Sequence, residues 1–200
     1  MKKPAPRRPA ARQRLLTAAA RVFARDGLTG ATTRAIAREA DVNEVTLFRQ
    51  FQTKDRLLAA VIGQNFGPDS ARTQPTPPPF TGDLRADLIA RARHYDRLLQ
   101  ENLPLIRAMI GEIHHHSDHE RQVFKAILRP LREDLIVRLQ SAVDARQLRA
   151  EPSPALLADL LNGMIFTGVL RRASPQVKLE YAPSDYLNAA VDLLLRGAGT

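Results

Sequence analysis

The chain has 200 residues, of which 44% are hydrophobic and 26% charged. These are ordinary proportions for a protein with a sizeable core and exclude disorder throughout. Cysteine and tryptophan are both absent, which removes disulfides, thiolate metal sites and cysteine nucleophiles together. Against 21 Asp and Glu stand 30 Lys and Arg, a formal net charge of +9 that points to an anionic partner. No apolar run approaches the ~18–20 residues of a membrane span. The basic start of the chain has no apolar stretch behind it of the kind a secretory signal carries. The expectation is a cytoplasmic protein with no membrane partner.

The charge is unevenly placed. Residues 1–60 hold 13 basic and five acidic side chains, residues 61–200 hold 17 and 16. Lys2, Lys3, Arg7, Arg8, Arg12 and Arg14 crowd the first residues, a solvated arm that is also suited to electrostatic contact with a polyanion. A second marker is Gly67–Asp83, GPDSARTQPTPPPFTGD, where five prolines prevent a helix from continuing. The expected organisation is a basic module over 1–66, a Pro-rich linker over 67–82, and a near-neutral module over 83–200.

Helical spacing runs through both modules, and no sustained alternation marks a strand. Leu15, Leu16, Ala19, Val22 and Phe23 form one apolar stripe, stopped by Gly27. A short helix follows from Thr33 to Ala40. Another runs from Asn43 as N-cap to about Phe51, and a fourth from the N-cap Thr53 toward Phe66. Beyond the linker, Leu84, Leu88, Tyr95, Leu98 and Leu99 stripe a helix ending near Asn102. Leu105 to Ile113 gives a short helix, and Phe124 to Val143 a long one with Pro130 inside it as an expected kink. Ser153 and Pro154 open the next, and Ser184 is the expected cap of the last. The fold class is all-α, with about nine helices.

Two short helices joined by Ala40-Asp41-Val42-Asn43, behind a longer one in a basic segment, have the layout of a helix-turn-helix reader. Ile36, Val42, Leu47 and Phe51 are expected to pack inward, leaving Glu44, Val45, Phe48 and Arg49 outward on a helix sized for a major groove. The other reading of the same spacing is a helical corner within a plain bundle.

The segment LLTAAARVFARDGLTGATTRAIAREADVNEVTLFRQFQTKDRLLAAVI resembles the N-terminal domain of the TetR family of bacterial transcriptional regulators. The likeness is carried by Ala19 and Phe23 before Arg25-Asp26-Gly27, by Thr32-Thr33-Arg34-Ala35-Ile36-Ala37, and by Ala40-x-Val42. It continues through Thr46-Leu47-Phe48-x-x-Phe51 and Lys54-x-x-Leu57-Leu58. The resemblance implies a homodimer on a palindromic double-stranded DNA operator, a recognition helix over Asn43–Phe51, and a C-terminal domain that binds a small-molecule effector. It implies phosphate or base contacts for Thr33 and Arg34, a hydroxyl contact for Thr46, and a phosphate grip for Lys54. Leu47 and Phe51 match core positions.

Departures from the family pattern sit where bases are read. Asp41 stands where Gly is common, tolerable because Asp adopts left-handed backbone. Asn43-Glu44-Val45 replaces a frequent Ser-Lys-Gly, Phe48 replaces Tyr, and Arg49-Gln50 replaces an aromatic or His pair. Arg49 has the chemistry to read guanine, Glu44 to accept from cytosine, and Val45 or Phe48 to touch a thymine methyl. At the first turn Glu44 also suits the helix dipole. The candidate DNA-binding set is Thr33, Arg34, Asn43, Glu44, Val45, Thr46, Phe48, Arg49, Gln50 and Lys54.

All five histidines lie between His94 and His119, with His114, His115 and His116 consecutive. A helical metal-binding protein or enzyme using this cluster is the alternative reading. It lacks an HExxH arrangement and any evident nucleophile–base pair, so a non-enzymatic regulator without cofactor or metal is expected. A non-specific nucleic-acid or anionic-membrane binder acting through residues 2–14 is the third. An effector pocket would lie among the helices of residues 84–139, lined by His94, Tyr95, Met109, Ile110, Ile113, Phe124, Ile127 and Met164. From Leu84 to Arg172 the chain also resembles a TetR-family C-terminal pattern, which implies pairing of the last two helices between subunits. Leu157, Leu161, Met164, Gly168, Val191, Leu194 and Leu195 are the candidate dimer face. The function expected is an effector-responsive, sequence-specific DNA-binding regulator, a repressor released from its operator by a small molecule.

Overall fold

The computed structural model describes residues 10–66, 79–111, 118–174 and 176–199, without the side chains of residues 66, 109, 111, 118–128, 130 and 131. The Pro-rich segment thus lies outside the described residues up to residue 78. Among the described residues there are nine α-helices and no strand: α1 (Ala11–Gly30), α2 (Thr33–Glu39), α3 (Glu44–Phe51), α4 (Lys54–Phe66), α5 (Leu84–Glu101), α6 (Leu103–Gly111), α7 (Asp118–Asp144), α8 (Pro154–Arg172) and α9 (Pro183–Ala198). The all-α expectation holds. Packing divides the chain into two compact units, Met1–Asn65 with Pro104–Phe124, and Phe66–Leu103 with Lys125–Thr200.

In the first unit the stripe of α1 buries Leu15, Ala19, Val22 and Phe23 completely, and Ile36, Leu47, Leu57 and Val61 meet the same core. Gly27 leaves helical geometry at φ 75°, a conformation that costs glycine nothing, so the helix proper of α1 stops where the apolar stripe stops. Short helices need their ends satisfied. Thr32 accepts from Ala35 N, Asn43 from Val45 N, and Thr53 from Arg56 N. Asp41 takes the turn between α2 and α3 at φ 52°. Arg14 on α1 donates to the Asp41 carbonyl at 3.0 Å.

In the second unit α5 packs on α8 and α9, and α8 on α9. Arginine–aspartate pairs bridge its helices. Arg85 joins α5 to Asp192 on α9 at 2.7 Å, Arg132 joins α7 to Asp159 on α8 at 2.6 Å, and Arg172 joins α8 to Asp96 on α5. The expected cap of α9 is displaced. Pro183 occupies the first turn and Ala182 precedes it without any side-chain cap bond, so Ser184 lies inside the helix. Proline suits that first position because its missing N–H would have no helical partner there. α7 continues as a helix through Pro130.

Asp87 and Asp96 are the buried carboxylates among the described residues. Asp87 is 3% exposed, and its Oδ1 accepts from both the backbone N and the hydroxyl of Thr81 at 2.8 Å. Its Oδ2 accepts from Arg138 Nε at 2.8 Å. The Phe80 ring lies beneath two guanidinium groups, Arg91 at 4.3 Å and Arg138 at 5.5 Å, within the range of cation–π attraction. The short segment entering α5 is thereby fastened to α5 and α7. Desolvation pushes the Asp87 carboxyl upward, but the two Thr81 bonds and the Arg138 guanidinium outweigh it and hold the carboxyl below its ordinary value.

A carboxyl depressed in the folded state contributes stability above its unfolded pKa, and that contribution disappears as pH falls through the folded value. Asp87→Ala leaves Arg138 buried without its partner, and is expected to cost about 3–5 kcal/mol at neutral pH. Urea denaturation across pH checks this: the gap between wild type and variant should narrow steadily in acid.

Candidate functional site

α3 is eight residues long and presents two faces. Leu47 and Phe51, four apart, are 0% and 5% exposed and seat the helix on the core. The other face carries Val45 at 71% and Phe48 at 47% exposure, with Arg49 and Gln50 exposed beside them. Two large apolar side chains thus stand side by side in solvent on the face opposite the core. Arg49 has no hydrogen-bond or ion-pair partner among the described residues. Arg34 and Asn43 are exposed, and Thr33, Glu44, Thr46 and Lys54 half-buried.

The charged candidates divide according to their bonds. Glu44 Oε1 accepts from the Thr33 hydroxyl at 2.6 Å. This bond ties the start of α2 to the start of α3, and it keeps the negative charge in the first turn of α3, where the helix dipole favours it. Lys54 Nζ donates to the carbonyls of Leu28 at 2.7 Å and Ala31 at 3.2 Å, so its ammonium closes the α1–α2 connection. Asn43 spends its side-chain oxygen on the N-cap. Val45, Phe48, Arg49 and Gln50 remain without such duties.

The effector candidates are brought together only in part. A narrow cleft in the second unit, partly open to solvent, has a cavity volume of about 20 Å³. His94 and Tyr95 line it, with Arg91, Ala92, Asp134, Leu135, Leu161, Asn162 and Ile165. Met164 does not; its carbonyl accepts from the Tyr186 hydroxyl at 2.8 Å. Ile110 is half-buried on α6, in the first unit. Ile113 lies outside the described residues, as do the side chains of Met109, Phe124 and Ile127. Burial lowers the His94 pKa, helped by the positive charges of Arg91 and Arg97, so His94 is neutral at neutral pH. Burial raises Tyr95 to about 12. Of the lining residues absent from the sequence reading, Arg91 had a signal, lying three before His94 on one helix face. Asp134 had none.

Of the metal reading, His114, His115 and His116 lie outside the described residues, together with the side chain of His119. Among the described residues no three His, Asp or Glu are grouped to hold a metal ion.

The residues expected to form a dimer face are for the most part buried within the chain. Leu157, Leu161, Val191 and Leu194 are buried inside the chain itself, and Leu195 is half-buried. Gly168 is small because the Tyr186 ring lies across it: a Cβ there would sit 2.6 Å from Tyr186 Cε1. The apolar residues left in solvent are their neighbours, Leu156 at 50%, Leu160 at 52% and Leu193 at 66% exposure. Gly163 and Gly197 adjoin them, each with open space around it. The double-width stripe Leu156-Leu157 with Leu160-Leu161 was the sequence signal: one half is core, the other is surface.

Two short capped helices around a tight turn, with an exposed mixed face on the second, define a helix-turn-helix DNA-binding protein. A family model described as bacterial regulatory proteins, tetR family, matches residues 15–61. A second, described as tetracyclin repressor-like, C-terminal domain, matches residues 78–194. The chain belongs to the TetR family of bacterial transcriptional regulators. The HTH-type transcriptional regulator YvkB of Bacillus subtilis is 28% identical over 122 residues, 58% of this chain and 62% of YvkB. The regulator Mb1581 of Mycobacterium bovis is 26% identical over 173 residues, 80% of this chain and 77% of that one. The chain thus spans 62% of the length of YvkB. Among solved structures, FadR of Bacillus subtilis in complex with stearoyl-CoA has a TM-score of 0.71 at 19% identity, covering 92% of this chain and 98% of its own. That likeness shows a shared fold.

Lys54→Met removes a charged donor from two carbonyls and is expected to lower stability by about 2 kcal/mol in urea denaturation. If the strut is its whole role, the salt dependence of DNA binding stays unchanged. A phosphate contact would reduce the log–log slope by about one.

Proposed function

We propose that the chain is an effector-responsive repressor that binds a palindromic operator as a homodimer, with residues 1–66 as the DNA-binding part, 67–82 as linker and 83–200 as the effector-binding and dimerising part. The observation that carries the DNA reading is the solvent-facing set Val45, Phe48, Arg49 and Gln50 on a helix whose opposite side is core. Val45 and Phe48 match thymine methyl groups, and Arg49 matches the two acceptors of guanine. Thr33 and Glu44, bonded to each other, set the angle of the reading helix, while Arg34, Thr46 and the basic start of the chain supply backbone contacts. The reaction is binding, with no catalytic step and no cofactor.

Two copies associate through the exposed stripes of α8 and α9. Leu156, Leu160 and Leu193 supply apolar area, and Gly163 and Gly197 allow close approach of helices. With the reading helices held in a two-fold pair, half-sites lie about one helical turn (~34–36 Å) or a multiple apart. A ligand in the α5–α7–α8 cleft favours a state of the dimer whose reading heads no longer match that spacing. FadR, solved in complex with stearoyl-CoA, supports a small-molecule site in a chain of this fold. No helix among the described residues is long and apolar enough to cross a membrane, which is compatible with action in the cytoplasm.

Gel shift against the DNA upstream of its own gene, with competitor DNA in excess, tests the reading. One sequence of two-fold symmetry should be retained at concentrations where the competitor is not. Equal binding to every sequence would refute specific regulation. Arg49→Ala should relax preference at one half-site position by about 1–3 kcal/mol, whereas a loss uniform across sequences would make Arg49 a phosphate contact. Leu156→Glu with Leu160→Glu places like charges in the pairing face and should yield monomers by light scattering, with helical content unchanged by circular dichroism.

A further inference from the structure

The cleft in the second unit contains an arginine poorly served by its surroundings. The Arg91 side chain is 11% exposed, and its Nε and Nη1 are buried with no hydrogen-bond partner. Its ion-pair partner among the described residues is Asp134, with Oδ2 3.1 Å from Nη1, close enough for charge attraction but not aligned as a hydrogen bond. Leaving such N–H groups unpaired in a buried site is costly, the more so for a charged group. Arg91 is nevertheless held in place, its guanidinium lying over the Phe80 ring at 4.3 Å, and Phe80 adjoins Thr81, which bonds the buried Asp87. Asp134 is the more exposed member of the pair, its side chain 40% in solvent.

We propose that the effector is a small carboxylic acid, whose carboxylate takes the place of Asp134 on Arg91 at the cleft walled by Leu135, Leu161 and Ile165. Asp134 is then a stand-in anion that turns to solvent when the ligand arrives. This inference rests on the effector-responsive reading and adds the chemical class of the effector to it. Arg91 is the fixed positive charge of the cleft, because His94 beside it is neutral. A carboxylate aligned with Nε or Nη1 makes the charge-assisted hydrogen bonds that Asp134 does not.

The test uses the full chain and defined probes: hexanoate, octanoate and benzoate, each against its primary amide, followed by titration calorimetry and thermal unfolding. At least one acid should bind and raise the melting temperature, with its amide about tenfold weaker or worse. Asp134→Asn removes the competing internal anion and should tighten the acid several-fold without tightening the amide. Arg91→Gln should abolish the preference for acid over amide. Amides binding as well as acids, Asp134→Asn leaving acid affinity unchanged or weaker, or no acid binding at all would each overturn the proposal. Operator binding by the wild type, measured in parallel by gel shift, separates this from the regulator reading. A chain that prefers its operator yet ignores every acid remains a regulator with an effector of another class.

Discussion

A helix of seven or eight residues does not hold its shape alone in water, and the reading face of this protein is built on two of them. Everything that face presents depends on how α2 and α3 are seated on α1. The complete burial of Phe23, Ile36 and Leu47 provides the seat. The bonds around it fix orientation: Thr33 to Glu44 between the two helices, Lys54 to the carbonyls after α1, and Arg14 to the carbonyl of Asp41. Each uses a side chain whose charge or hydroxyl would otherwise be available for DNA. Rigidity at the base of the reader is thus obtained from the same polar residues that a contact-counting view would assign to the groove. What remains exposed for the proposed reading is mixed: two apolar side chains, one arginine and one amide.

The overall charge takes on a different meaning in this light. The excess of basic residues in the first sixty provides attraction to the phosphate backbone, which is independent of sequence. Several of those residues also have structural partners: Arg25 joins Glu39 at 3.0 Å and Lys54 joins backbone carbonyls. In the second unit, charge serves cohesion. Arg85, Arg132, Arg138 and Arg172 each reach an aspartate on another helix. Arginine suits this role because its planar fork keeps its geometry as it pairs. The buried pair of Asp87 and Arg138 differs in consequence from the exposed pairs of Arg85 and Arg132. A buried charge that loses its partner is far more costly than an exposed one, so it pins the segment of Phe80 and Thr81 where α5 begins.

Much of this was legible in the residues. The stripe Leu15 to Phe23, its stop at Gly27, and the caps Asn43 and Thr53 all have local causes, because a cap or a break needs only its immediate neighbours. Asp41 is the same kind of case: its left-handed backbone at φ 52° follows from a turn that needs it. Ser184 shows the limit of local reasoning, since the helix begins at Pro183 with Ala182 as its N-cap, two positions before the serine. The candidate DNA-reading set was partly legible. Periodicity places Val45, Phe48 and Arg49 on the outer face, but it does not show that Glu44 and Lys54 are occupied by Thr33 and by carbonyls 23 and 26 residues away.

The sequence by itself determined the helical class, the helix-turn-helix segment and the concentration of positive charge beside it, because periodicity, capping and net charge act over a few residues. Tertiary structure alone decided which half of each wide apolar stripe is core. Leu157 and Leu161 went inward and Leu156 and Leu160 outward, a choice made by how α8 lies on α5 and α9 rather than by hydrophobicity, which is the same for all four. It also decided that Gly168 makes room for Tyr186 within one chain, and that Arg91 meets Asp134 across 43 positions of sequence. Such pairings depend on where two distant helices cross, and no local preference specifies that.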